Sequence, residues 1–520
     1  MRRLEDPRRR EPKVKAITTA PRASHVNSGT SIPHDELPWP ETTGRVFRLP
    51  KSSTEVDHRS EVTPYGGLAL FTALARRFRV AERLDAAVQV FKIHLPYHEA
   101  DHILAIAANL FVGGTCLEDQ ANLQQSEAAR RMLGAVRVPD PTTAGDFLRR
   151  FDTWETQGSL DALRRAHDEI QRDVGRAVKK RRGKMPLATV DLDGHFKVLC
   201  GVKKEGADFN YRREWCYHPL LVSLAQTGEC LAIRNRPGNV RSSQDAAAVL
   251  NEVLPQVRER AEHVLVRGDS DFDRQDVRDA ASKHDAFYAS VGREQTGRPE
   301  IAMAIPDSAY RPFLPRAWRA VERRCSKTNY RARRRKQNRR RRRAQDRNYK
   351  ELRLVEQQIA EVSIRPGGAT KDYRLIVRRQ LIKVLKGQQP LFTQYRYRYV
   401  VTDLPGSAED VIDETYMRCD QEKIIQQLGA GLAAWRMPVA EFEGNAAWLE
   451  IARLAWNIAK WIALLALPAE AIRWEWKRFR QALVYVAAQV LRRSRQVTVR
   501  LSASHRFHRL FVAAHERLQV

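Results

Sequence analysis

The spacing of apolar residues changes character along the chain, and each change marks an element or a boundary. From Gly66 to Phe151 the spacing is helical, as in Leu68-Ala-Leu-Phe-Thr-Ala-Leu-Ala-Arg-Arg-Phe78 and Ile103-Leu-Ala-Ile-Ala-Ala-Asn-Leu-Phe111, with Gly113-Gly114 as a stop signal. Pro141-Thr-Thr-Ala-Gly-Asp-Phe-Leu-Arg-Arg-Phe151 predicts a further helix, capped by its threonines, that suits either packing or DNA reading. Past the basic linker Lys179–Lys184 the pattern becomes strand-like: Leu187-Ala-Thr-Val-Asp-Leu-Asp193, Phe196–Val202, then Leu220–Ala225 and Cys230–Ile233 around a Thr227-Gly228 hairpin turn. A helix is predicted from Ser242 to Ala261, with Ser242 and Asp245 as a capping box and a kink or break at Pro255. The strand His263-Val-Leu-Val-Arg-Gly-Asp269 follows.

Residues 1–58 hold Arg, Pro, Ser and Thr without a sustained apolar period, which predicts a disordered basic arm. The pattern breaks again over 294–400, a region read as a β-rich insertion with a nearly continuous basic run, Arg331–Arg343. In Tyr395-Arg-Tyr-Arg-Tyr-Val-Val401 the alternation would place aromatic and basic side chains on opposite faces of a strand. Helical spacing resumes at Val411 and continues through Trp456–Leu465. The expected domains are therefore a helical N-terminal DNA-binding domain (59–180), a core in two parts (185–293 and 401–467) flanking the insertion, and a basic C-terminal region (468–520).

Asp193 and Asp269 each end a β-branched run, so a buried strand would carry each acid to a sheet edge. The order β-β-β-α-β, with acids on the first and fourth strands, is that of an RNase H-like core, in which those two strands are neighbours. The expected fold class is thus α/β: an RNase H-like core with a mixed sheet, an N-terminal all-helical domain, and a β-rich, basic insertion before the helix bearing Glu422. Clustered carboxylates suit hard cations such as Mg²⁺. Two such ions roughly 4 Å apart can stabilise both the attacking and the leaving oxygen of a phosphodiester.

Composition narrows the partner. With 91 Lys+Arg against 62 Asp+Glu, the 520-residue chain carries a net charge of +29, which suits a polyanion and points to nucleic acid. The most apolar stretch, Ile451–Pro468, is interrupted by Arg453 and Lys460 and reads as a core helix, so no membrane partner is expected. The six cysteines form no C-x-x-C pair and no signal-peptide pattern opens the chain, which favours a reducing cytoplasm over a disulfide framework or a zinc ribbon.

Other motifs weigh less. His98-Glu-Ala-Asp-His102 matches the zincin pattern H-E-x-x-H, yet it starts at the beginning of a helix with only Glu118 as a loose third ligand, so it reads as a chance match. Asp269-Ser-Asp-Phe-Asp273 opens like a calcium loop, but Arg274 replaces the required glycine, leaving Asp271 and Asp273 as helix-start or solvated acids. The Arg331–Arg343 run, including Arg333, Arg334, Arg335, Arg340, Arg341 and Arg342, would neutralise phosphates without reading bases. Trp318 reads as a core residue that would alternatively stack on an unpaired base.

The Asp191-Leu-Asp193 strand, Gly206-Ala-Asp-Phe-Asn-Tyr211, Tyr217-His-Pro-Leu-Leu221, Arg236-Pro-Gly-Asn239 and Arg267-Gly-Asp-Ser-Asp-Phe272, in this order, resemble bacterial insertion-sequence DDE transposases of the insertion-sequence 1380 family, from about Gly66 to the C-terminus. The resemblance implies cut-and-paste DNA transposition with Mg²⁺, replaceable by Mn²⁺, held as two ions by Asp193, Asp269 and Glu422, with Asp191 as the alternative first ligand. His195 stands where the family has threonine. Around the glutamate, Tyr416 and Arg418 fit the tyrosine, arginine, glutamate and lysine signature of related transposases, while Gly429 falls where the lysine belongs, leaving Lys423 as a substitute phosphate contact. Glu414, Glu441 and Glu443 are fallback acids.

On this reading the partners are double-stranded DNA, as terminal inverted repeats and target, and a second copy of the chain when assembled; no small-molecule cofactor is expected, and the place of action is the bacterial nucleoid. Two rivals share the residues: a degenerate transposase that only binds DNA, and a stand-alone RNase H-like nuclease that cuts without joining.

Overall fold

The computed structural model describes residues 52, 54, 60–94, 96–293, 297–315, 352–384, 395–493 and 496–519. The expected basic arm, Trp318 and the Arg331–Arg343 run lie outside the described residues, apart from 52 and 54. Residues His58–Val520 form one compact unit.

The unit begins with helices where the apolar period predicts them: α1 (Leu68–Arg77), α2 (Val80–Ala87), α3 (Glu99–Val112), α4 (Pro141–Arg149) and the long α5 (Ser159–Arg182). α4 starts with Pro141 in its first turn, but its cap is Asp140, whose carboxylate accepts the N–H groups of Thr142 and Thr143 at 3.0 Å. The threonines are thus capped residues and not the caps. Ala144, Phe147 and Leu148 turn α4 into the core, so packing accounts for its apolar face.

A nine-stranded mixed sheet follows, assembled from β1 (Met185–Gly194), β2 (Leu220–Leu224), β3 (Cys230–Arg234), β4 (Ala261–Gly268), β5 (Phe287–Val291), β6 (Arg311–Pro312), β7 (Leu352–Ile364), β8 (Tyr373–Val384) and β9 (Tyr395–Thr402). Its order is β6-β7-β8-β9-β5-β4-β1-β2-β3. β1 lies parallel to β4, and β4 parallel to β5, while β2 runs antiparallel to β1. The strands from 352 onward extend this same sheet, because β9 pairs antiparallel with β5 through Val400–Val291 and its neighbours. The run Phe196–Val202 contributes only the two-residue strand Lys197–Val198, which pairs in a separate three-stranded sheet. The chain bends at Cys200–Val202, where Gly201 takes a left-handed φ of 83°, and the strand stops before it.

α6 (Ala246–Arg258) and α7 (Gln275–Lys283) cover one sheet face, meeting Ala188, Val190 and Leu192 of β1 and Val264 and Val266 of β4. α6 begins four residues after Ser242, and Ser242 donates to Asp271 instead of capping it. Pro255 sits inside α6 without dividing it, since the α-helix runs unbroken to Arg258. On the other face Leu265, Ala289, Ile376 and Val400 pack against α8 (Ala408–Tyr416), which leads into α9 (Cys419–Ala430). The period-2 geometry of a strand thus sends alternate residues of β1 and β4 into different layers. In β9, Tyr399 faces the α6/α7 layer while Val400 faces α8, as the Tyr–Arg alternation predicts.

α10 (Phe442–Ala466) is the spine of the helical half. Trp448, Trp456 and Trp461 are wholly buried along it, and Arg453 is buried with charged partners. Among the described residues no helix is long and apolar enough to cross a membrane.

One buried ion pair ties the sheet to the helices that follow it. Arg267 of β4 donates from Nε and Nη2 to the two carboxylate oxygens of Asp191 on β1, at 2.6 and 2.8 Å, and Nη1 reaches the backbone carbonyl of Glu414 in α8. Arg267→Met leaves a buried carboxylate without its counter-charge and is expected to cost about 3–5 kcal/mol. Arg365→Ala, at an ion pair more than half exposed, should cost less than about 1 kcal/mol. Urea denaturation of both variants checks the contrast.

Candidate active site

Strand alternation puts Thr189, Asp191 and Asp193 on the sheet face opposite Ala188, Val190 and Leu192, and it does the same for Arg267 on β4, opposite Val264 and Val266. Asp191 lies one pleat inside the sheet, fully buried, with both oxygens engaged by Arg267. Asp193 lies at the strand end, where its side chain keeps 18% of its exposure. Its Oδ1 accepts the Gly194 N–H at 2.9 Å, and its Oδ2 is 3.4 Å from Arg418 Nη2. Asp269 follows the end of β4; its carboxylate accepts the Asp271 N–H at 2.9 Å and its carbonyl the Ser290 hydroxyl at 2.6 Å.

Glu422 stands exposed in the first turn of α9. Arg418 is the N-cap of α9, four residues before Glu422, and its backbone is already α-helical there. From there the guanidinium reaches the Leu192 carbonyl at 3.3 Å and pairs with Asp193.

The electrostatics show that these groups face each other. Burial pushes the Asp193 carboxyl up to about 6; Asp269 and Glu422 add repulsion, and Arg418 offsets part of it. Asp269 is also raised, mainly by burial, again against the pull of Arg418. Three acids from segments far apart in sequence therefore share one field, with Arg418 acting on both aspartates and Arg293 on Asp269. They stand wider apart than the ligands of a single ion: among the described residues, the group whose ligand atoms lie within 4.8 Å of one another is His94, His98 and Glu99. A set of carboxylate oxygens that repel one another fits a hard divalent cation in its chemistry.

Asp193 and Asp269 border a cleft of about 870 Å³ whose walls include Tyr211, Asp271, Arg241, Arg293 and Arg398. Phe196 stacks on His218 inside it, with ring centroids 3.9 Å apart, and burial holds the His218 imidazole down to about 4 and hence neutral at pH 7. Gly194 is required here, since a Cβ would meet His218 Nε2 at 2.4 Å. Arg241, Arg293 and Arg398 come from three distant segments, so no local spacing in the sequence marks them as a group.

The remaining expected residues separate. The Tyr416 ring lies against the Arg378 guanidinium at 4.3 Å, with its hydroxyl buried and without a hydrogen-bond partner. Lys423 donates to Asp420 at 2.8 Å on the exposed side of α9. Gly429 is a close approach, because a Cβ there would meet Trp435 Cδ1 at 2.4 Å. His195 packs beside the same tryptophan, at 4.7 Å between ring centroids. Asp273 is not solvated: it is buried and pairs with Arg278 at 2.8 Å and Arg298 at 2.5 Å. Asp271 accepts from Ser242 at 2.8 Å. Glu414 is spent on Arg267 and Thr189. Arg333, Arg334, Arg335, Arg340, Arg341 and Arg342 lie outside the described residues.

A mixed sheet whose parallel strands bring two aspartates to one cleft, with a glutamate of a following helix in the same electrostatic field, defines a class of carboxylate-centred enzymes. The chain matches the family model "Transposase DDE domain group 1" over residues 53–520, and it belongs to that family. It is thus a DDE transposase, from a family whose chemistry depends on a divalent metal. Among solved structures it is similar to a piggyBac transposase synaptic complex with hairpin DNA, at 10% identity and a TM-score of 0.40, covering 81% of this chain and 80% of that one. No curated protein matches the chain.

The raised Asp193 carboxyl has a defined effect on stability. A carboxyl that titrates near 6 in the folded protein and at its ordinary value of 3.8 when unfolded binds its proton more tightly in the folded state, so its favourable contribution is lost as pH rises from about 4 through about 6. In EDTA, Asp193→Asn is expected to gain stability over wild type across that window and to hold the gain above it. Urea midpoints measured on both sides of the window check this, and a gain that shrinks with rising pH contradicts it.

Proposed function

We propose that this DDE transposase serves a bacterial insertion sequence of the insertion-sequence 1380 type, binding its terminal inverted repeats, cleaving at its ends and joining them to target DNA. The observation that carries the reading is the field that Asp193 shares with Asp269, Glu422 and Arg418, beside a cleft that Asp193 and Asp269 line with Arg241, Arg293 and Arg398. In this reading the core is RNase H-like, and the neighbouring parallel strands that end in the first two acids support it.

Asp193, Asp269 and Glu422 would hold Mg²⁺ or Mn²⁺, as two ions, which when bound would stabilise the attacking and leaving oxygens of the phosphodiester. Asp193 is preferred over Asp191 because both Asp191 oxygens are committed to Arg267. Arg418 neutralises the acids before DNA arrives and, on release from Asp193, offers its planar fork to a phosphate. Tyr416 acts by positioning, through its stacking on Arg378, and Lys423 offers charge at the outer face of α9. Arg241, Arg293 and Arg398 would follow the DNA backbone along the cleft. The helical domain at 59–180 and the Arg331–Arg343 run would hold the inverted repeats, and two ends call for at least a dimer when assembled. The protein would act in the bacterial cytoplasm on nucleoid DNA.

A second reading, a transposase that binds DNA without cutting it, is favoured by one feature. The position of the family's lysine is Gly429, packed under Trp435, where no side chain fits.

A labelled duplex carrying one element end, incubated with Mg²⁺ or EDTA, separates the two. Metal-dependent cleavage by wild type is expected, with at least about a hundredfold loss in Asp269→Asn and Glu422→Gln, on the scale of removing one electrostatic element of a site. Cleavage that survives in Asp269→Asn refutes the mechanism, and end binding with no cleavage even in Mn²⁺ establishes the second reading.

A further inference from the structure

The H-E-x-x-H motif at His98–His102 is not the metal site its spacing suggests, but two of its residues gather with a third side chain, His94. His102 is fully buried and stacks on Phe147, with ring centroids 4.7 Å apart and planes at 10°, between Phe91 and Tyr97. It is a core residue on the inner side of α3. His98 precedes α3 and Glu99 is its first residue, and both meet His94 from the loop that follows α2.

The ligand atoms of His94, His98 and Glu99 all lie within 4.8 Å of one another. His94 Nε2 is 3.5 Å from Glu99 Oε1, and the two imidazole centroids are 5.0 Å apart. Ligands bound tetrahedrally at zinc, with Zn–N and Zn–O near 2.0–2.1 Å, stand roughly 3.3 Å apart, so a small rotation of two exposed side chains completes the set.

Two further observations favour a cation here. The Glu99 side chain is 1% exposed, and its Oε1 accepts the N–H groups of Val90 and Phe91 at 3.0 Å each, which fixes the direction of the carboxylate in the way outer-shell hydrogen bonds orient ligands. Two further carboxylates also lie beside the set. Asp101 accepts the His98 N–H and Asp85 accepts the Ala100 N–H, both at 2.8 Å.

We propose that His94, His98 and Glu99 form a zinc site that clips the loop between α2 and α3 onto the start of α3. Two imidazoles and one carboxylate favour a borderline ion such as Zn²⁺ over Mg²⁺, which prefers oxygen ligands and keeps its waters. The histidines are exposed, so solvent completes the coordination. Because Glu99 is a ligand in this arrangement, it is not the general base of a zincin, and the site holds structure without hydrolysing peptides.

The test uses the full chain carrying Asp193→Asn and Asp269→Asn, so that the acidic cleft contributes no zinc and the result is independent of the transposase reading. After stripping with EDTA and dialysis against Zn²⁺, about one equivalent should be retained by elemental analysis, Zn²⁺ should raise Tm, and Co²⁺ should give visible d–d absorption. Adding His94→Ala and His98→Ala should weaken Zn²⁺ binding at least about a hundredfold and abolish the Tm shift. Absence of retained zinc in the parent, or retention unchanged by the two alanines, would overturn the site and leave the His94–Glu99 contact as an ordinary imidazole–carboxylate pair.

Discussion

Arg267 is the constraint on which the arrangement of the acids depends. A guanidinium buried in the sheet must have its donors satisfied, and here they go to Asp191 on the neighbouring strand and to the end of α8. The two parallel strands are thereby held in register with each other and with the helix that leads into Arg418 and Glu422. Asp193, two residues beyond Asp191, and Asp269, two beyond Arg267, then emerge at the same edge and on the same face. The pair inside the sheet and the acids at its rim are successive pleats of one alternation. What differs is solvent: the inner pleat is dry and its charges are mutually satisfied, while the outer one keeps water and leaves carboxylates facing each other.

A second buried polar network joins the helical half to the sheet. Arg453 of α10 donates to Glu450 at 2.6 Å, to Asp168 and Gln171 of α5 and to the Cys230 carbonyl of β3, while His167 meets the same Glu450 oxygen at 2.7 Å. Against the effect of burial, Arg453 and His167 hold the Glu450 carboxyl down to about 2. Asn457 exchanges two 2.9 Å hydrogen bonds with the backbone of Cys230. Such a network specifies one docking of α10 on the sheet, because any shift would leave a buried charge unpaired. The N-terminal helices, which share the α10 core, are fixed to the acid-bearing half by the same contacts.

The acidic strands were legible in the sequence because a β-branched run that ends in aspartate has a single economical placement in a sheet. Their parallel pairing was legible from element order, since β-β-α-β between the two acids leaves them adjacent. The reading was weaker wherever a side chain's partner is distant in sequence. Asp191 and Asp193 were indistinguishable on a strand, and only Arg267, 76 residues from Asp191, separates them. Asp273 reads from the sequence as a helix-start or solvated acid, whereas in the fold Arg278 and Arg298 enclose it. Arg418 and Glu422 lie four apart at the start of α9, and only the fold shows that the Arg418 guanidinium turns back to Asp193, a partner far away in sequence.

The sequence by itself determined the α/β alternation, the helical opening, the acids at strand ends and the strongly basic balance, because these follow from local periodicity and from counting charges. Tertiary structure alone decided which carboxylates face the cleft and which are consumed in buried ion pairs, which arginines line the cleft, and that His94 and not His102 meets Glu99. Those outcomes depend on desolvation and on partners brought together across hundreds of residues, and neither quantity is carried by a local pattern of residue types.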